Sequence, residues 1–242
     1  MNPEFDTYAA EYEALLGDPL RDGFGPRDFF HERKIILVRD YFRRLGADPT
    51  KCSWLDIGCG QGDLLRAGLR DFGSAIGCDV SREMLEACKG LPVVRQEHED
   101  KLPFPDRSAD FVTAVCVYHH VPPEKRAALT REAARLLKPG GTFCIIEHNP
   151  LNPVTQMIVK RTPIDAGAQL LGLRQTRRLM QNQGLQPAWE RYFLFLPERH
   201  YRRIGGLETY LGRVPLGGQY AVFARAVFKN PAHPRLCGLE TS

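Results

Sequence analysis

The sequence lacks the features that mark exported and membrane-spanning chains. Its first twenty residues carry five acidic side chains and no basic segment of the kind that opens a secretory or transit peptide. Apolar runs such as 35–38 and 111–118 are far shorter than the roughly 18 residues that cross a bilayer. These absences predict a protein that folds alone in water.

Cysteine pairs at metal-binding or redox spacing are also absent. The seven cysteines are an odd number, and no two of them form a Cys-x-x-Cys pair. This pattern favours reduced, mostly buried thiols in a cytoplasmic protein. Because zinc-finger spacing is missing, we predict no structural zinc site and no metal site.

Positive charge is scarce in the first 150 residues and abundant after them. The net charge is +4, but residues 151–242 hold thirteen basic and five acidic side chains, which gives that segment +8. Such a surplus can lie on an anionic membrane, steer an acidic substrate, or form an ordinary solvated surface. The basic side chains on which these interpretations rest are Arg174, Arg177, Arg178, Arg199, Arg202, Arg203 and Arg213.

The 242 residues fit one domain, and after residue 50 short apolar runs alternate with helical ones. That alternation predicts βαβ units and a doubly wound, parallel α/β sheet. Predicted strands are Ser53–Ile57, Ala75–Cys78, Val93–Glu97, Phe111–Val117, Thr142–Glu147, Trp189–Phe195 and Gln219–Phe228. Predicted helices are Asp6–Leu16, Asp28–Leu45, Gly62–Leu69, Ser81–Cys88, Pro123–Leu137 and Thr176–Gln183.

The segment 54–63, Trp-Leu-Asp-Ile-Gly-Cys-Gly-Gln-Gly-Asp, carries the clearest chemical signal. An acid ends a strand, and glycines at alternate positions lead into a helix, which is typical of a backbone that turns tightly against a ligand. Asp79 ends the next strand, where its carboxylate can accept hydrogen bonds from ribose hydroxyls. The pattern therefore predicts a nucleoside site.

The charges around this loop distinguish between nucleoside ligands. A dinucleotide fold needs a third glycine where this chain has Asp63, and a pyrophosphate would be repelled by Asp56 and Asp63. Carboxylates suit a ligand that carries an ammonium group and a sulfonium instead.

Together these residues make the chain resemble the class I S-adenosylmethionine-dependent methyltransferases, whose first motif reads acid-x-Gly-x-Gly-x-Gly. The resemblance spans about residues 52–147. Further motifs that carry it are Cys78-Asp79-Val80-Ser81, Leu102-Pro103-Phe104-Pro105-Asp106, Tyr118-His119-His120-Val121-Pro122 and Leu137-Lys138-Pro139-Gly140-Gly141.

The resemblance implies S-adenosylmethionine as cofactor and a Rossmann-like, mostly parallel seven-stranded sheet whose last strand is antiparallel. It places the three loop glycines at the methionine moiety and Asp79 at the ribose. After the third strand the family has an acid followed by a small residue, whereas this chain has Glu97-His98. The implied cofactor residues are Asp56, Gly58, Cys59, Gly60, Gly62, Asp79, Val80, Glu97, His98 and Cys116.

Catalysis requires an acceptor aligned with the methyl group and, for a hydroxyl or acidic carbon, a general base. Tyr118, His119, His120 and His148 fall at predicted carboxyl ends of strands, where open α/β sheets place their sites. We select His148 and His119 as candidate bases. The alternative is that the His-His pair only orients the following loop.

We predict a single domain over 1–242, with 1–30 and 149–183 covering the substrate and 229–242 as a tail. Aromatic and apolar residues in these covers include Phe5, Tyr8, Tyr12, Phe24, Phe29, Met157, Ile158, Leu170 and Leu171. The predicted function is methyl transfer to a small, acidic or lipid-like molecule, and no particular oligomeric state is indicated. No DNA partner is expected; an RNA methyltransferase, a non-catalytic cofactor-binding protein and peripheral contact with an anionic membrane remain open.

Overall fold

The computed structural model describes residues 11–98 and 101–227, which form one seven-stranded sheet covered by helices on both faces. The strand order is β3-β2-β1-β4-β5-β7-β6. Strand β7 runs antiparallel to the other six strands, which all point in the same direction. This confirms the predicted fold class. The strands are β1 (Ser53–Ile57), β2 (Ser74–Asp79), β3 (Val93–Arg95), β4 (Ala109–Val115), β5 (Leu137–His148), β6 (Leu185–Phe193) and β7 (Gln219–Ala226).

Ten α-helices connect or precede these strands within the described ranges. They are α1 (Tyr12–Leu15), α2 (Pro19–Phe24), α3 (Arg27–Leu45), α4 (Asp63–Gly68), α5 (Arg82–Glu86), α6 (Pro123–Leu136), α7 (Pro153–Arg161), α8 (Leu173–Asn182), α9 (Glu198–Ile204) and α10 (Glu208–Leu211). None of the helices in that part of the chain is long and apolar enough to cross a membrane.

Two apolar layers hold the helices against the sheet. On one face α3 and α4 pack on aromatic residues, where Tyr41 stacks on Phe223 with 4.3 Å between ring centroids. On the other face α6 and α8 cover a cluster built around Val112, Phe143 and Tyr220. Burial on both faces explains why the central strands read as continuous apolar runs.

Several boundaries differ from those predicted. Strand β4 ends at Val115 because Cys116 takes a left-handed backbone with φ 57°. Strand β5 begins at Leu137 and not at the predicted Thr142, because Leu137 pairs with Ala109 of β4. The register between the two strands shifts after this pair. Helix α2, which was not predicted, begins at Pro19, and Asp18 accepts hydrogen bonds from the Leu20 and Arg21 amides as its N-cap.

Helices α7, α9 and α10 were not predicted. Helices α9 and α10 are short, and Gly205-Gly206 separates them. The predicted helix Asp6–Leu16 is described only from residue 11, and its helical part is Tyr12–Leu15. The predicted tail, 229–242, and the last residue of the predicted strand Gln219–Phe228 lie outside the described residues. The single domain over the whole chain stays a prediction.

A buried ion pair joins α3 to the segment between β6 and β7. The Arg33 guanidinium pairs with Glu208, and their side chains are only 7% and 5% exposed. Arg33 also lies 3.6 Å from the ring centroid of Tyr201, while Glu208 accepts hydrogen bonds from the amides of Phe195 and Leu196. Removing one partner would leave a charge buried without its counter-ion.

We therefore predict that Arg33→Met lowers the free energy of unfolding by about 3–5 kcal/mol, because the Glu208 carboxylate stays buried without the guanidinium. Urea unfolding followed by circular dichroism measures this. The matched control is Arg202→Met, which removes an exposed pair with Glu198 and should leave the unfolding midpoint near that of the wild type. Equal midpoints for the two variants would contradict the role given to the buried pair.

Candidate active site

The carboxyl ends of β1 to β6 and the start of β7 meet at one edge of the sheet, where they surround a cavity of 1210 Å³. The strand order reverses between β1 and β4, and open α/β sheets bind ligands at this switch point. Single-ligand pockets typically measure about 300–1,000 Å³. The cavity therefore has room for more than one small molecule.

The predicted glycine loop forms one wall of the cavity. Gly58, Gly60 and Gly62 all have positive φ, at 66°, 52° and 80°. A Cβ at Gly58 would lie 2.6 Å from a Val117 methyl, so this turn tolerates no side chain. A Cβ at Gly60 would meet no protein atom within 4 Å, although Gly60 lines the cavity. The loop thus presents bare backbone to a ligand.

Asp79 lies at the end of β2 and lines the cavity beside this loop. Its two carboxylate oxygens accept hydrogen bonds from the Gly60 amide at 2.8 Å and the Ser81 amide at 2.9 Å. A carboxylate has about four lone-pair sites, so further acceptor capacity remains for ribose hydroxyls. Asp79 therefore fixes the loop and can also hold a nucleoside.

Two buried groups of opposite charge lie at the same end of the cavity. Asp56 accepts a 2.6 Å hydrogen bond from the Thr113 hydroxyl, and Lys34 reaches the cavity from α3 with 5% exposure. Burial raises the pKa of Asp56 to about 7, partly opposed by the Thr113 hydrogen bond and the Lys34 charge. A carboxylate beside an ammonium complements the zwitterionic amino-acid end of S-adenosylmethionine or its product.

Other predicted cofactor residues line the same cavity. Val80 follows β2, Cys59 is buried within the glycine loop, and Glu97 and His98 follow the short strand β3. Gln96, which the sequence reasoning missed, is buried in the cavity wall and donates a hydrogen bond from its side chain to the His98 carbonyl at 2.9 Å. Their roles in binding stay predictions.

Cys116 lies after β4 in its left-handed conformation, and its sulfur accepts a hydrogen bond from the Gln219 side chain at 3.3 Å. Asp63, the residue in place of a third dinucleotide glycine, pairs with Arg27 at the start of α3. This ion pair joins the N-terminal helices to the glycine loop. Tyr12, Arg21 and Phe24 extend the cavity wall above it.

His119 lies between two carboxylates at the opposite end of the cavity. Its Nδ1 is 2.6 Å from a Glu147 oxygen, and its Nε2 is 3.3 Å from a carboxylate oxygen of Asp165. Burial opposes the charged imidazole, but the two carboxylates outweigh it and raise the pKa of His119 well above its usual value. Neither ring nitrogen of His119 is therefore placed to take a proton from an acceptor.

His148 follows Glu147 at the end of β5, and its ring lies 5.0 Å from that of His119 between centroids. Burial and the neighbouring charge of His119 lower the pKa of His148 to about 4, so its imidazole is neutral at pH 7. His120 packs on His119 with centroids 4.1 Å apart. Three imidazoles from two strand ends thus face one region of the cavity.

The predicted substrate covers contribute part of their residues to the cavity. Tyr12 and Phe24 line it, as do Ile158, Ile164 and Asp165 from α7 and the turn that follows. By contrast, Met157 is exposed, Phe29 is buried in the core on the first turn of α3, and Leu171 is buried in the cluster on the other face of the sheet. Phe5 and Tyr8 lie outside the described residues. Asp165 was not predicted, since nothing in its sequence context distinguishes it from a loop residue.

The fold defines a Rossmann-like domain with a cavity at its switch point. Residues 55–145 match a family model described as a methyltransferase domain. The chain is 33% identical over 178 residues to a fatty-acid O-methyltransferase of Mycolicibacterium smegmatis, covering 70% of this chain and 61% of the relative. It is 33% identical over 121 residues to a tRNA (carboxymethyluridine(34)-5-O)-methyltransferase of Arabidopsis thaliana, covering 49% of this chain and 29% of the relative.

Among solved structures, a methyltransferase dependent on S-adenosylmethionine from Archaeoglobus fulgidus superimposes with a TM-score of 0.58 at 22% identity, covering 83% of this chain and all of that one. The match to the methyltransferase-domain model and the similar methyltransferase structures support the class I assignment that the sequence motifs predicted, with S-adenosylmethionine as the cofactor. The chain spans between 29% and 61% of the length of the first curated relatives that it matches.

We predict that binding of S-adenosylhomocysteine depends on pH through Asp56. Above a pKa of about 7 this carboxylate is charged and attracts the ligand's ammonium group; below it, protonation removes the attraction. Affinity measured by calorimetry should fall more than about tenfold between about pH 7.5 and about pH 5.5. The charged groups that act on Asp56 are Lys34 and Asp79.

Methylthioadenosine is the matched control ligand, because it has the nucleoside and no amino-acid group. Asp56→Asn should abolish the pH dependence of S-adenosylhomocysteine binding, and Lys34→Met should lower the affinity for S-adenosylhomocysteine. Neither substitution should change the affinity for methylthioadenosine. Asp79→Asn should lower the affinity for both ligands by about tenfold or more, which corresponds to the loss of one charge-assisted hydrogen bond. A pH-independent affinity in the wild type would contradict the position given to the ammonium group.

Proposed function

We propose that the protein transfers the methyl group of S-adenosylmethionine to an oxygen of a small, largely apolar acceptor that is acidic or lipid-like. The observation that carries this proposal is one cavity lined by two chemically different sets of residues. One set, which we call the cofactor end, is the glycine loop with Asp56 and Asp79 after β1 and β2; the other, the acceptor end, is His119 and His148 after β4 and β5. A cofactor in the first end would direct its sulfonium toward the second.

The cavity has mostly apolar walls. A basic side chain, Arg21, lines it from α2, with its guanidinium 5.4 Å from the ring centroid of Phe30. An apolar body with an acidic group would match this combination, since burial favours apolar contact and Arg21 attracts an anion. The apolar lining residues are Leu16, Phe24, Phe30, Leu129, Val154, Ile158 and Ile164.

In the proposed reaction the acceptor oxygen attacks the methyl carbon in line with the sulfur. The new O–CH₃ bond forms as the S–CH₃ bond breaks, and its electron pair goes to sulfur, which leaves S-adenosylhomocysteine. Holding the two reactants in this alignment can supply about 7–11 kcal/mol of the barrier. A hydroxyl acceptor also loses a proton, for which we propose His148 as the general base, because both ring nitrogens of His119 face carboxylates.

His148→Ala should lower kcat by about two orders of magnitude or more, because proton transfer loses its base. Its affinity for S-adenosylhomocysteine should stay unchanged, since the cofactor end of the cavity is intact. The assay follows labelled methyl groups from S-adenosylmethionine into a panel of fatty acids and aromatic hydroxy acids. The control is His200→Ala, an exposed position on α9 outside the cavity. Unchanged kcat in His148→Ala would exclude it as the base.

The same assay separates the two other functions that the sequence left open. Total tRNA is included as an acceptor, because the Arabidopsis relative is a carboxymethyluridine methyltransferase of tRNA and the C-terminal segment is basic. Methylation of tRNA alone would replace the small-molecule proposal. Binding of S-adenosylhomocysteine without transfer to any acceptor in the panel would instead favour the non-catalytic function.

We also propose peripheral contact with an anionic membrane. The segment between β6 and β7 lies at the same edge of the sheet as the cavity, and it exposes Ile204, Leu207 and Tyr210 beside Arg203 and Arg213. Apolar side chains among arginines suit the boundary between headgroups and acyl chains. A lipid-like acceptor could then enter the cavity from the membrane surface.

The six free cysteines among the described residues fit the cytoplasmic location predicted from the sequence.

Liposome sedimentation tests this contact. We expect binding to vesicles that contain phosphatidylglycerol, weaker binding to pure phosphatidylcholine, and loss of binding as salt rises, because basic residues supply the attraction. Leu207→Ser combined with Tyr210→Ser should reduce binding. Val227→Ser is the control, since Val227 is exposed at the opposite edge of the sheet. Absence of binding to both kinds of vesicle would exclude the membrane contact.

A further inference from the structure

A cluster of three potential metal ligands lies at the acceptor end of the cavity. The ligand atoms of His119, His120 and Asp165 all lie within 4.8 Å of one another. His119 and His120 follow β4, and Asp165 ends the turn after α7. The prediction that the chain has no metal site rested on cysteine spacing, which says nothing about ligands that the fold brings together from separate segments.

Two distances within this cluster match the spacing of ligand atoms around one metal ion. One carboxylate oxygen of Asp165 is 3.3 Å from Nε2 of His119 and 3.5 Å from Nε2 of His120. Charge-assisted hydrogen bonds are shorter, at about 2.7–2.9 Å. Ligand atoms about 2.0–2.1 Å from a tetrahedral zinc ion lie about 3.4 Å apart. Both distances to the Asp165 oxygen agree with that tetrahedral edge.

The surroundings of His119 also match those of a metal ligand. Histidine ligands commonly donate their second ring N–H to a carboxylate, which fixes the ring and leaves the other nitrogen for the metal. Here Nδ1 of His119 lies 2.6 Å from Glu147, which is fully buried and also accepts the Tyr118 amide at 2.7 Å. Glu147 is therefore held in place, and it directs Nε2 of His119 toward Asp165.

We propose that His119, His120 and Asp165 bind one divalent transition-metal ion, with Zn²⁺ as the ion that the geometry favours. Two imidazoles and a carboxylate disfavour Mg²⁺ and Ca²⁺, which prefer oxygen ligands alone. Three protein ligands leave a fourth position, as in catalytic zinc sites. All three residues line the cavity, so that position is accessible to a small molecule.

The ion would act on the acceptor, and this part of the inference rests on the proposed function. An acceptor oxygen in the fourth position would lose its proton more readily, because a bound metal ion lowers the pKa of a coordinated hydroxyl. The proton would go to His148, beside the cluster, and the oxygen would then attack the methyl carbon as described above. Oxygen acceptors would thus be preferred over amines.

The test uses the purified full-length chain, stripped of metal with a chelator and titrated with Co²⁺ and then Zn²⁺. We expect one equivalent of Co²⁺ to produce the visible absorption of a tetrahedral site, and Zn²⁺ to displace it. Asp165→Asn and His120→Asn should each weaken Co²⁺ binding by at least tenfold. Glu147→Gln should weaken it by about 10–100-fold through the orientation of His119. The control is His200→Asn, which should bind Co²⁺ as the wild type does.

Each variant is checked by calorimetry with S-adenosylhomocysteine, since the cofactor end of the cavity does not include the three ligands. Absence of stoichiometric Co²⁺ binding by the wild type would overturn the metal site, as would equal affinities in His120→Asn, Asp165→Asn and His200→Asn. Cofactor binding without metal binding would refute the metal site and leave the proposed function intact. Metal binding without cofactor binding would refute the proposed function and support the metal site.

Discussion

The site depends on one constraint: the carboxyl ends of the parallel strands must meet at a single edge of the sheet. The order reverses between β1 and β4, and the connections after these strands separate to leave a crevice. Backbones on both sides of the crevice are left-handed, at Gly58 after β1 and at Cys116 after β4. Every group assigned to the cofactor or to the acceptor extends from this edge or from the helices that cover it.

Charge is concentrated in the cavity, where burial makes each ionised group costly unless it has a partner. At the cofactor end Asp56 lies near Lys34, and at the acceptor end Glu147 and Asp165 flank His119. Each of these two arrangements leaves a position where a charged ligand could bind. A zwitterionic amino acid would complement the first, and a divalent cation would complement the second. The low local dielectric constant that makes burial of these charged groups unfavourable also strengthens their electrostatic interaction with a ligand.

The covering helices connect the site to the surface. Arg27 pairs with Asp63 beside the glycine loop, and Arg33 pairs with Glu208 in the segment that follows β6. Helix α3 therefore touches both the cofactor loop and the exposed basic segment. Because α7 and its turn supply Ile158 and Asp165, the acceptor end is built largely by connections that vary in length and sequence among proteins with this sheet.

The sequence by itself determined the sheet, its order of elements and the cofactor cradle, because these follow from local patterns: apolar runs, a glycine-rich turn, and Asp79 at the next strand end. Only the tertiary structure decided which side chains meet. Lys34 lies four residues before Val38, on the buried face of α3. Helical spacing could therefore have predicted that Lys34 points toward the sheet. Asp165 offered no such signal, because its approach to His119 and His120 depends on how the turn after α7 folds over β4 and β5, and long-range contacts of this kind leave no periodicity in the chain.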